Sequence, residues 1–517
     1  MELTKRTGLV SNEPDPRRWW ILGVLCLSLL VISLDNTILN TALPSLQTDL
    51  GASSSQLQWI VDSYMLVFAG LLLTAGALGD RFGRRRMLEA GMALFGLGSI
   101  LSAMATTSTM LIATRGLMGV GGALIMPSTL SILTNVFPAH ERPKAIGAWA
   151  AVSGLGIAIG PVSGGWLIEH FDWGAVFLVN VPFVLLALVG GRMLVPESKD
   201  PATPRLDLGG FALSITGLTA LVWAIIEAPE RGWTDGMILT AFGLALALLA
   251  AFAAWELRTR EPMLDLSVFR NARFSASSGA ITLAFFALFG TIFALTQYLQ
   301  GVLGHEPLEA GLWVTPVAAG MMVGAGTSTR LADRFGAKLV VAAGLGAIAA
   351  GLLLVTGADV TASFGEVALF MGVIGLGAGL AMAPATDAVM GALPLEKASV
   401  GSAVNDTTRT AGGALGVAIL GSVLSSIYRG DMPADAPAAA HDSISGALAT
   451  GDPALIGAAR DAFVNGMHGM ALVAAGIAVV GALVALVALP ARERTAIANT
   501  GAETEPAATR SPELVAA

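Results

Sequence analysis

Three ionisable side chains, Asp35, Asp62 and Arg115, lie inside long apolar stretches of the sequence. A charge at the centre of a membrane-spanning helix costs about 2.5–3.5 kcal/mol on insertion scales. Each side chain therefore needs a partner or a water-filled cleft, or, for a carboxylate, a bound proton. The chemistry that these residue types support is reversible protonation, because an arginine that stays charged can hold one carboxylate ionised while burial disfavours the charge on another.

A second candidate pair lies in the sequence "NDTTRT", where Asp406 and Arg409 are three residues apart and share a helix face. Two interpretations stay open: an ion pair that neutralises itself, or a gate or cation site. Aromatic side chains that could line a greasy, cation-tolerant cavity are Trp59, Tyr64, Phe68, Trp149, Phe285, Phe286, Phe289, Phe293 and Trp313.

The elements that position these residues are membrane-spanning helices. Of the 517 residues 54% are hydrophobic and 13% charged, whereas a soluble domain is about 25% charged. Windows of about 20 apolar residues predict fourteen spans in an all-α bundle. The single cysteine, Cys26, excludes an intramolecular disulfide, and the net charge of −8 without a basic patch excludes a nucleic-acid partner.

The basic residues orient the spans. With the N-terminus inside, 24 of the 29 Lys and Arg residues fall in inside loops and three in outside loops, and Arg115 and Arg409 lie within spans. This bias predicts that both termini are cytoplasmic. Helical rise then places Asp35, Asp62 and Arg115 at a similar depth in the outer half of the membrane.

An internal repeat indicates two six-helix bundles. "GDRFGRRR" (79–86) follows span 2, and "ADRFGAKL" (332–339) follows span 10. Parallel six-helix repeats with a site between them are typical of transporters. The predicted units are a first bundle at 1–200, an inserted pair of helices (spans 7 and 8) at 201–262, a second bundle at 263–494 with an outside loop at 428–465, and a disordered cytoplasmic tail at 495–517. The outside loop, rich in Ala, Asp and Pro, is expected to be mobile or weakly helical.

Five motifs together resemble the signature set of the major facilitator superfamily: "LDNTILNTALP" (34–44), "GALGDRFGRRR" (76–86), "RGLMGVGGALIMP" (115–127), "GIAIGPVSGG" (156–165) and "WGAVFLVNVP" (173–182). The first and last motifs, with fourteen spans, resemble its fourteen-helix drug/proton antiporter branch, the quaternary-ammonium-type multidrug pumps. The resemblance implies the two-bundle fold and proton-driven efflux.

The resemblance also implies two devices that control movement of the bundles. A latch that forms in one state and breaks in another is implied at Asp80, Arg81, Gly83, Arg84, Asp333 and Arg334. A close, bendable contact that limits leak, the antiporter motif, is implied at Gly156, Gly160, Pro161, Gly164 and Gly165. The simpler interpretations are a basic loop that sets topology and plain helix packing.

Two departures from the family pattern bear on the site. Met118 stands where the family often has Gln, which removes one polar neighbour of Arg115. The span-10 sequence "LWVTPVAAGMMVGAG" lacks the acid that close relatives often carry, which argues against export of divalent cations.

The sequence therefore predicts a proton-coupled exporter of amphipathic, cationic or neutral, drug-like molecules in the plasma (inner) membrane. Asp35 is the expected proton carrier or cation partner, with Asp62 assisting and Arg115 tuning both. We expect no enzymatic activity, no metal and no cofactor, with a proton gradient as the driving force, and we expect a monomer in the lipid bilayer. The alternatives are a narrow exporter of one metabolite or antibiotic, a passive channel, and a lipid-handling membrane protein or scaffold.

Overall fold

Long helices make up most of the computed structural model, which describes residues 16–138, 140–199, 207–259, 262, 264, 266–392 and 398–489. The predicted tail at 495–517 lies outside the described residues. In chain order the helices are α1 (Arg18–Leu50), α2 (Ser54–Phe82), α3 (Arg84–Ala103), α4 (Ser108–Val136), α5 (Arg142–His170), α6 (Ala175–Leu178), α7 (Asn180–Leu194), α8 (Leu208–Arg231), α9 (Gly236–Glu256), α10 (Ala272–Gln297, continued by a π-helix at Tyr298–Val302), α11 (Pro307–Val314), α12 (Pro316–Phe335), α13 (Ala337–Val355), α14 (Phe364–Gly391), α15 (Ala398–Asp431), α16 (Ala438–Asp442), α17 (Ile444–Leu448) and α18 (Pro453–Ala488).

Eleven helices of the described chain are long and apolar enough to cross a membrane, or twelve when the two parts of α2, which meet at a 55° bend, are taken as one span. In this count α6 with α7, and α11 with α12, each form one span. The helices α3 and α5, of 20 and 29 residues, pack among the others. The arrangement is therefore consistent with the fourteen predicted spans.

The pattern of helix packing repeats between the two halves of the chain. In the first bundle α2 and α3 pack on α4, and α1 packs on α5 and α7. In the second bundle α12 and α13 pack on α14, and α10 packs on α15 and α18. The equivalent helices therefore make equivalent contacts, which confirms the repeat that the two Asp-Arg-Phe-Gly sequences predict.

The glycine of each Asp-Arg-Phe-Gly sequence ends a helix in the same way. Gly83 after α2 has φ 115°, and Gly336 after α12 has φ 89°. These angles favour glycine because it has no Cβ atom. In both places the next helix begins at the following residue, so the glycine sets the sharp turn that returns the chain into its bundle.

The inserted pair, α8 and α9, packs along the line where the bundles meet. A Cβ atom on Gly70 of α2 would lie 3.1 Å from Ile215 Cδ1 of α8. On its other side, α8 presents the carbonyl of Ile225 to the hydroxyl of Ser422 in α15, at 2.7 Å. Helix α9 packs mainly on α8. The pair thus touches both bundles through α8.

The loop between α15 and α18 is shorter and more ordered than predicted. Helix α15 continues to Asp431 and α18 begins at Pro453, so most of the predicted 428–465 loop is helical. The early start of α18 follows from Asp452, whose side chain accepts a hydrogen bond from the Ala454 amide at 2.9 Å. Helices α16 and α17 lie between them, fixed by an ion pair of 2.5 Å between Arg429 and Asp442.

The two bundles contact each other at the end that carries the α1–α2 loop. Helix α2 packs on α15 along a line that we call the seam, in which Gln58 lies against Gly421 and Met65 against Gly413. Helix α5 packs on α11, and the Gln300 amide donates to the Thr41 carbonyl at 3.0 Å. The α15 side of the seam is apolar, since Ala414, Val417 and Ala418 of α15 belong to the core of the first bundle.

Candidate functional site

Asp35 and Arg115 form a buried ion pair inside the first bundle. Arg115 Nη1 lies 2.5 Å from Asp35 Oδ2, and the side chains are 1% and 0% exposed. Asp35 is carried by α1 and Arg115 by α4. The sequence predicts only a similar depth for these two residues; the structure brings them into contact, and each charge is neutralised by the other.

Further groups fix this pair in position. The Asn180 side-chain amide of α7 donates to Asp35 Oδ1 at 3.2 Å and to Ser99 Oγ at 3.3 Å. Arg115 Nε donates to the Ile60 carbonyl of α2 at 3.2 Å. A buried ion pair is stable only when its remaining donors and acceptors find partners, and α2 and α7 supply such partners here.

Arg115 also lies against an aromatic ring and a thioether. Its guanidinium carbon is 4.5 Å from the centroid of the Tyr64 ring, a cation–π contact. Its Nη1 lies 3.8 Å from the sulfur of Met118, the residue that replaces the family's Gln. Because the thioether is a weak acceptor, Asp35 is the dominant partner of the arginine.

Asp62 occupies a different environment from Asp35. It is 0% exposed, and both of its carboxyl oxygens are buried without a hydrogen-bond partner among the described residues. It lies four residues after Gln58 and three before Met65, so all three share one stripe of α2. Because Gln58 and Met65 contact α15, this stripe faces the seam.

The structure therefore separates two acids that the sequence places at one depth. Asp35 faces the interior of the first bundle and has a counter-ion, whereas Asp62 belongs to the stripe that faces the second bundle. An ionised carboxylate without a partner in a buried site costs several kcal/mol, about 2–7 kcal/mol even for a neutral polar group. Of these two acids, Asp62 is therefore the one that is more stable in its protonated form in this buried site.

The Asp406–Arg409 pair lies apart from this cluster, on α15 of the second bundle. Arg409 Nη1 is 3.8 Å from Asp406 Oδ1, and the side chains are 35% and 15% exposed. Its guanidinium carbon lies 5.1 Å from the centroid of the Phe285 ring of α10. This pair is looser and more accessible than Asp35–Arg115, and no described contact joins the two.

The residues of the implied latch are in place within each bundle. Asp80 at the end of α2 accepts from Arg84 Nη2 at the start of α3, at 2.8 Å across the Gly83 turn. In the second bundle, Asp333 and Arg334 line a cavity of about 540 Å³ together with Asp387. Arg81 and Arg334 each lie over the phenylalanine that follows them, at 5.6 and 5.2 Å. No contact of the described chain crosses from Asp80 to the second bundle, so the latch remains a prediction for another state.

The glycines of the antiporter motif serve two partners. Gly156, Gly160 and Gly164 lie against α1 within the first bundle, where a Cβ atom on Gly164 would lie 2.8 Å from Ile38 Cγ1. Gly165 lies against α11, where a Cβ atom would lie 2.5 Å from Leu308 Cα, and the Pro161 carbonyl meets Gly311 of the same helix. The contact between bundles is therefore made by Pro161 and Gly165 rather than by the three-glycine stripe.

The sequence does not single out three of the side chains that make these contacts. Asn180 is a lone amide inside the apolar motif "WGAVFLVNVP", and that isolation was the available signal. Tyr64 is one of nine aromatic residues that could line a cavity, and the sequence does not distinguish it from the other eight. Glu197 contacts the basic loop after α2, accepting from the Arg85 amide at 3.2 Å, and nothing in its local sequence singles it out.

The described part of the chain contains no group of three or more His, Cys, Asp or Glu side chains that could hold a metal ion.

Comparisons with known proteins agree with this architecture. The family model described as Major Facilitator Superfamily matches residues 25–417. The chain is 39% identical to the "Multidrug efflux pump LfrA" of Mycolicibacterium smegmatis, over 93% of this chain and 98% of that protein. It is 38% identical to the "Puromycin resistance protein pur8" of Streptomyces alboniger, over 79% of this chain and 82% of that protein.

The fold is also similar to that of a solved transporter. A bacterial homologue of the human lysosomal transporter Spinster, crystallised in an inward-facing and unoccupied conformation, superposes with a TM-score of 0.65 at 17% identity, over 92% of this chain and 99% of that chain.

Proposed function

The chain belongs to the Major Facilitator Superfamily, and from this premise we propose that it exports amphipathic, drug-like molecules across a membrane in exchange for protons. Its relatives include proteins named for multidrug efflux and for puromycin resistance, which supports export of drug-like compounds. Movement of one bundle against the other supplies alternating access, and no covalent reaction is assigned to the site.

One observation carries the coupling step: the first bundle buries two carboxylates, and only one of them is paired with an arginine. Arg115 neutralises Asp35 at 2.5 Å, whereas Asp62 is buried without a partner. Asp62 is stable in the closed seam as the acid, and it can ionise only when water enters. Asp62 therefore carries the proton, and Asp35 is the partner of a cationic substrate.

The two carboxylates then respond to opposite events. Opening of the seam hydrates Asp62 and lets it take up a proton from the outside, and the bound proton then favours closure of the seam. A cationic group that reaches Asp35 competes with Arg115 for the same carboxylate, so it must displace a hydrogen-bonded ion pair. A proton on Asp62 favours the closed seam, whereas a bound cation disturbs the Asp35–Arg115 pair. The two ligands therefore oppose each other, as antiport requires.

Transport in proteoliposomes tests this assignment. We expect that a pH gradient accelerates movement of ethidium, a fluorescent cation, by the unaltered protein. In Asp62→Asn the acceleration should be lost, while exchange of dye down its own gradient continues. Asp49→Asn is a matched control, since Asp49 is exposed on α1. Full gradient dependence in Asp62→Asn would show that another group carries the proton.

A second arm tests the role of Asp35. Asp35→Asn should impair transport of the cation more than transport of a neutral dye in the same vesicles, because only the cation needs the carboxylate. Asp35→Glu should retain part of the cation transport. Equal loss for both dyes in Asp35→Asn would exclude Asp35 as the cation partner.

We further propose that the protein resides in the plasma membrane with its basic loops on the cytoplasmic side. The positive-inside bias supports this orientation. A Cys26→Ser background with a single new cysteine at Glu230, exposed in the last turn of α8, should react with an impermeant maleimide applied to intact cells. A cysteine at Arg86 should react only after permeabilisation, and the reverse pattern would overturn the orientation.

A further inference from the structure

The seam ends at a small apolar constriction. A Cβ atom on Gly413 of α15 would lie 3.4 Å from Phe289 Cγ of α10 and 3.5 Å from Met65 Sδ of α2. One turn closer to the start of α15, Arg409 is 35% exposed. The closed part of the seam therefore ends within one turn of α15, and the charged side chain of Arg409 is accessible just beyond it.

Arg409 is an arginine with unused hydrogen-bonding capacity. It donates no hydrogen bond to any described residue, and its nearest carboxylate oxygen, on Asp406, is 3.8 Å away. Its Nε is buried without a partner, so the accessible part of the side chain lies toward its terminal nitrogens. A guanidinium presents its donors as a fork that matches a carboxylate, and this fork is unoccupied by protein.

Asp406 is engaged as weakly as its neighbour. Its Oδ1 accepts from the Asn405 side-chain amide at 3.4 Å, which is long for a hydrogen bond. The carboxylate and the guanidinium stand on one face of α15, so the accessible surface offers a negative and a positive group side by side. An ion pair this loose competes poorly with a ligand that satisfies both groups.

Aromatic rings adjoin the pair. The Arg409 guanidinium carbon lies 5.1 Å from the centroid of the Phe285 ring. The Phe285 and Phe289 rings are stacked, with centroids 5.8 Å apart and planes inclined by 27°, and both residues are half-buried. A planar molecule can therefore stack against this part of the site.

We propose that Asp406, Arg409, Phe285 and Phe289 form a substrate subsite for planar aromatic zwitterions. The substrate's anionic acceptor binds the Arg409 fork, its cationic end lies by Asp406, and its rings contact the phenylalanines. This inference rests on the proposed export function and names a substrate class for it. It differs from a site for simple cations, which would need the carboxylate alone.

Binding measured without any gradient tests the subsite separately from proton coupling. The probes are rhodamine B, which carries a carboxylate, and its ethyl ester, in which an ethyl group caps that carboxylate and removes the negative charge. Fluorescence anisotropy with purified full-length protein in lipid nanodiscs gives both dissociation constants. Loss of a charge-assisted hydrogen bond lowers affinity by about tenfold or more.

We expect Arg409→Gln to weaken rhodamine B binding at least tenfold and ester binding less than twofold. Arg429→Gln removes an arginine from the same helix, outside the subsite, and should change neither affinity. Because a lone buried charge can impair folding, the double variant Asp406→Asn with Arg409→Gln provides a second test. It removes both charges and should abolish the preference for rhodamine B over the ester.

Three outcomes would overturn the subsite. Equal weakening of both dyes in Arg409→Gln would mean that the arginine acts through structure, and unchanged affinities would mean that substrate does not contact it. A preference for rhodamine B that survives in the double variant would exclude the pair. If the wild-type protein shows the expected dye selectivity but no gradient-driven transport, proton coupling fails while the subsite stands.

Discussion

Removal of Arg115 tests the buried ion pair in quantitative terms. Arg115→Gln deletes the 2.5 Å contact with Asp35, the 3.2 Å hydrogen bond to Ile60 and the contact with the Tyr64 ring at 4.5 Å. Asp35, which is 0% exposed, keeps only the donor of Asn180. Breaking a buried pair from one side costs about 3–5 kcal/mol, because an uncompensated charge stays behind.

The double variant separates the penalty of an unpaired charge from the value of the pair. Arg115→Gln with Asp35→Asn leaves neutral groups of similar size, and replacing both members of a buried pair is often close to neutral. We therefore expect the double variant to lose less unfolding free energy than either single variant, with a coupling energy of about 2 kcal/mol or more.

Unfolding of the purified protein in mixed micelles, titrated with SDS and followed by circular dichroism, measures these differences. The matched control is the more exposed pair Arg429–Asp442, whose side chains are 21% and 39% exposed. Its single variants should cost about 0–1 kcal/mol. Additive effects in the Arg115 cycle, or a loss under about 1 kcal/mol for Arg115→Gln, would refute the argument that the pair is buried and mutually dependent.

Three further predictions concern packing and the loops. Gly160→Ala should lower the unfolding free energy by about 1–3 kcal/mol, because the added Cβ atom meets Thr37. Gly147→Ala on the same helix places its Cβ atom in open space and should be neutral or stabilising. Equal effects of the two variants in SDS unfolding would contradict this prediction. Gly83→Ala should destabilise α2–α3, since φ is 115° and Glu197 fills the space; a stability equal to wild type in the same assay would disprove the constraint. Hydrogen bonds from Arg18 lower the pKa of the Glu141 carboxyl from its ordinary 4.5. The ion pair therefore stabilises the protein above about pH 4.5 and is lost as the pH falls through the folded pKa. The midpoint temperature of thermal unfolding should therefore drop more between pH 6 and pH 3.5 in wild type than in Glu141→Gln.

The sequence predicts this fold and part of the site because both depend on one-dimensional patterns. Apolar length marks the spans, and the repeated Asp-Arg-Phe-Gly marks equivalent positions in two bundles. Depth along a helix follows from residue spacing, so the similar depth of Asp35 and Arg115 could be predicted. These are properties that each helix has by itself.

Rotation about the helix axes could not be predicted, and it decides the roles of the acids. Asp62 points to α15 and Asp35 to α4 because of how glycines and large side chains interlock between helices, which is a property of pairs. The division of the antiporter motif between α1 and α11 arises in the same way. The order of residues 438–448 depends on Arg429 and Asp442, which are thirteen residues apart and whose pairing no local pattern predicts.

The position of α8 has a consequence for the integrity of the membrane. Since α8 contacts α2 through Gly70 and α15 through Ser422, it covers the lipid side of the seam in which Asp62 lies. A lipid acyl chain that entered the seam would leave the Asp62 carboxylate in an apolar environment. Water that followed the acyl chain would let protons leak across the bilayer. In this protein the connection between the bundles thus also seals the seam, and the extra pair of helices would protect the proton gradient that the proposed function requires.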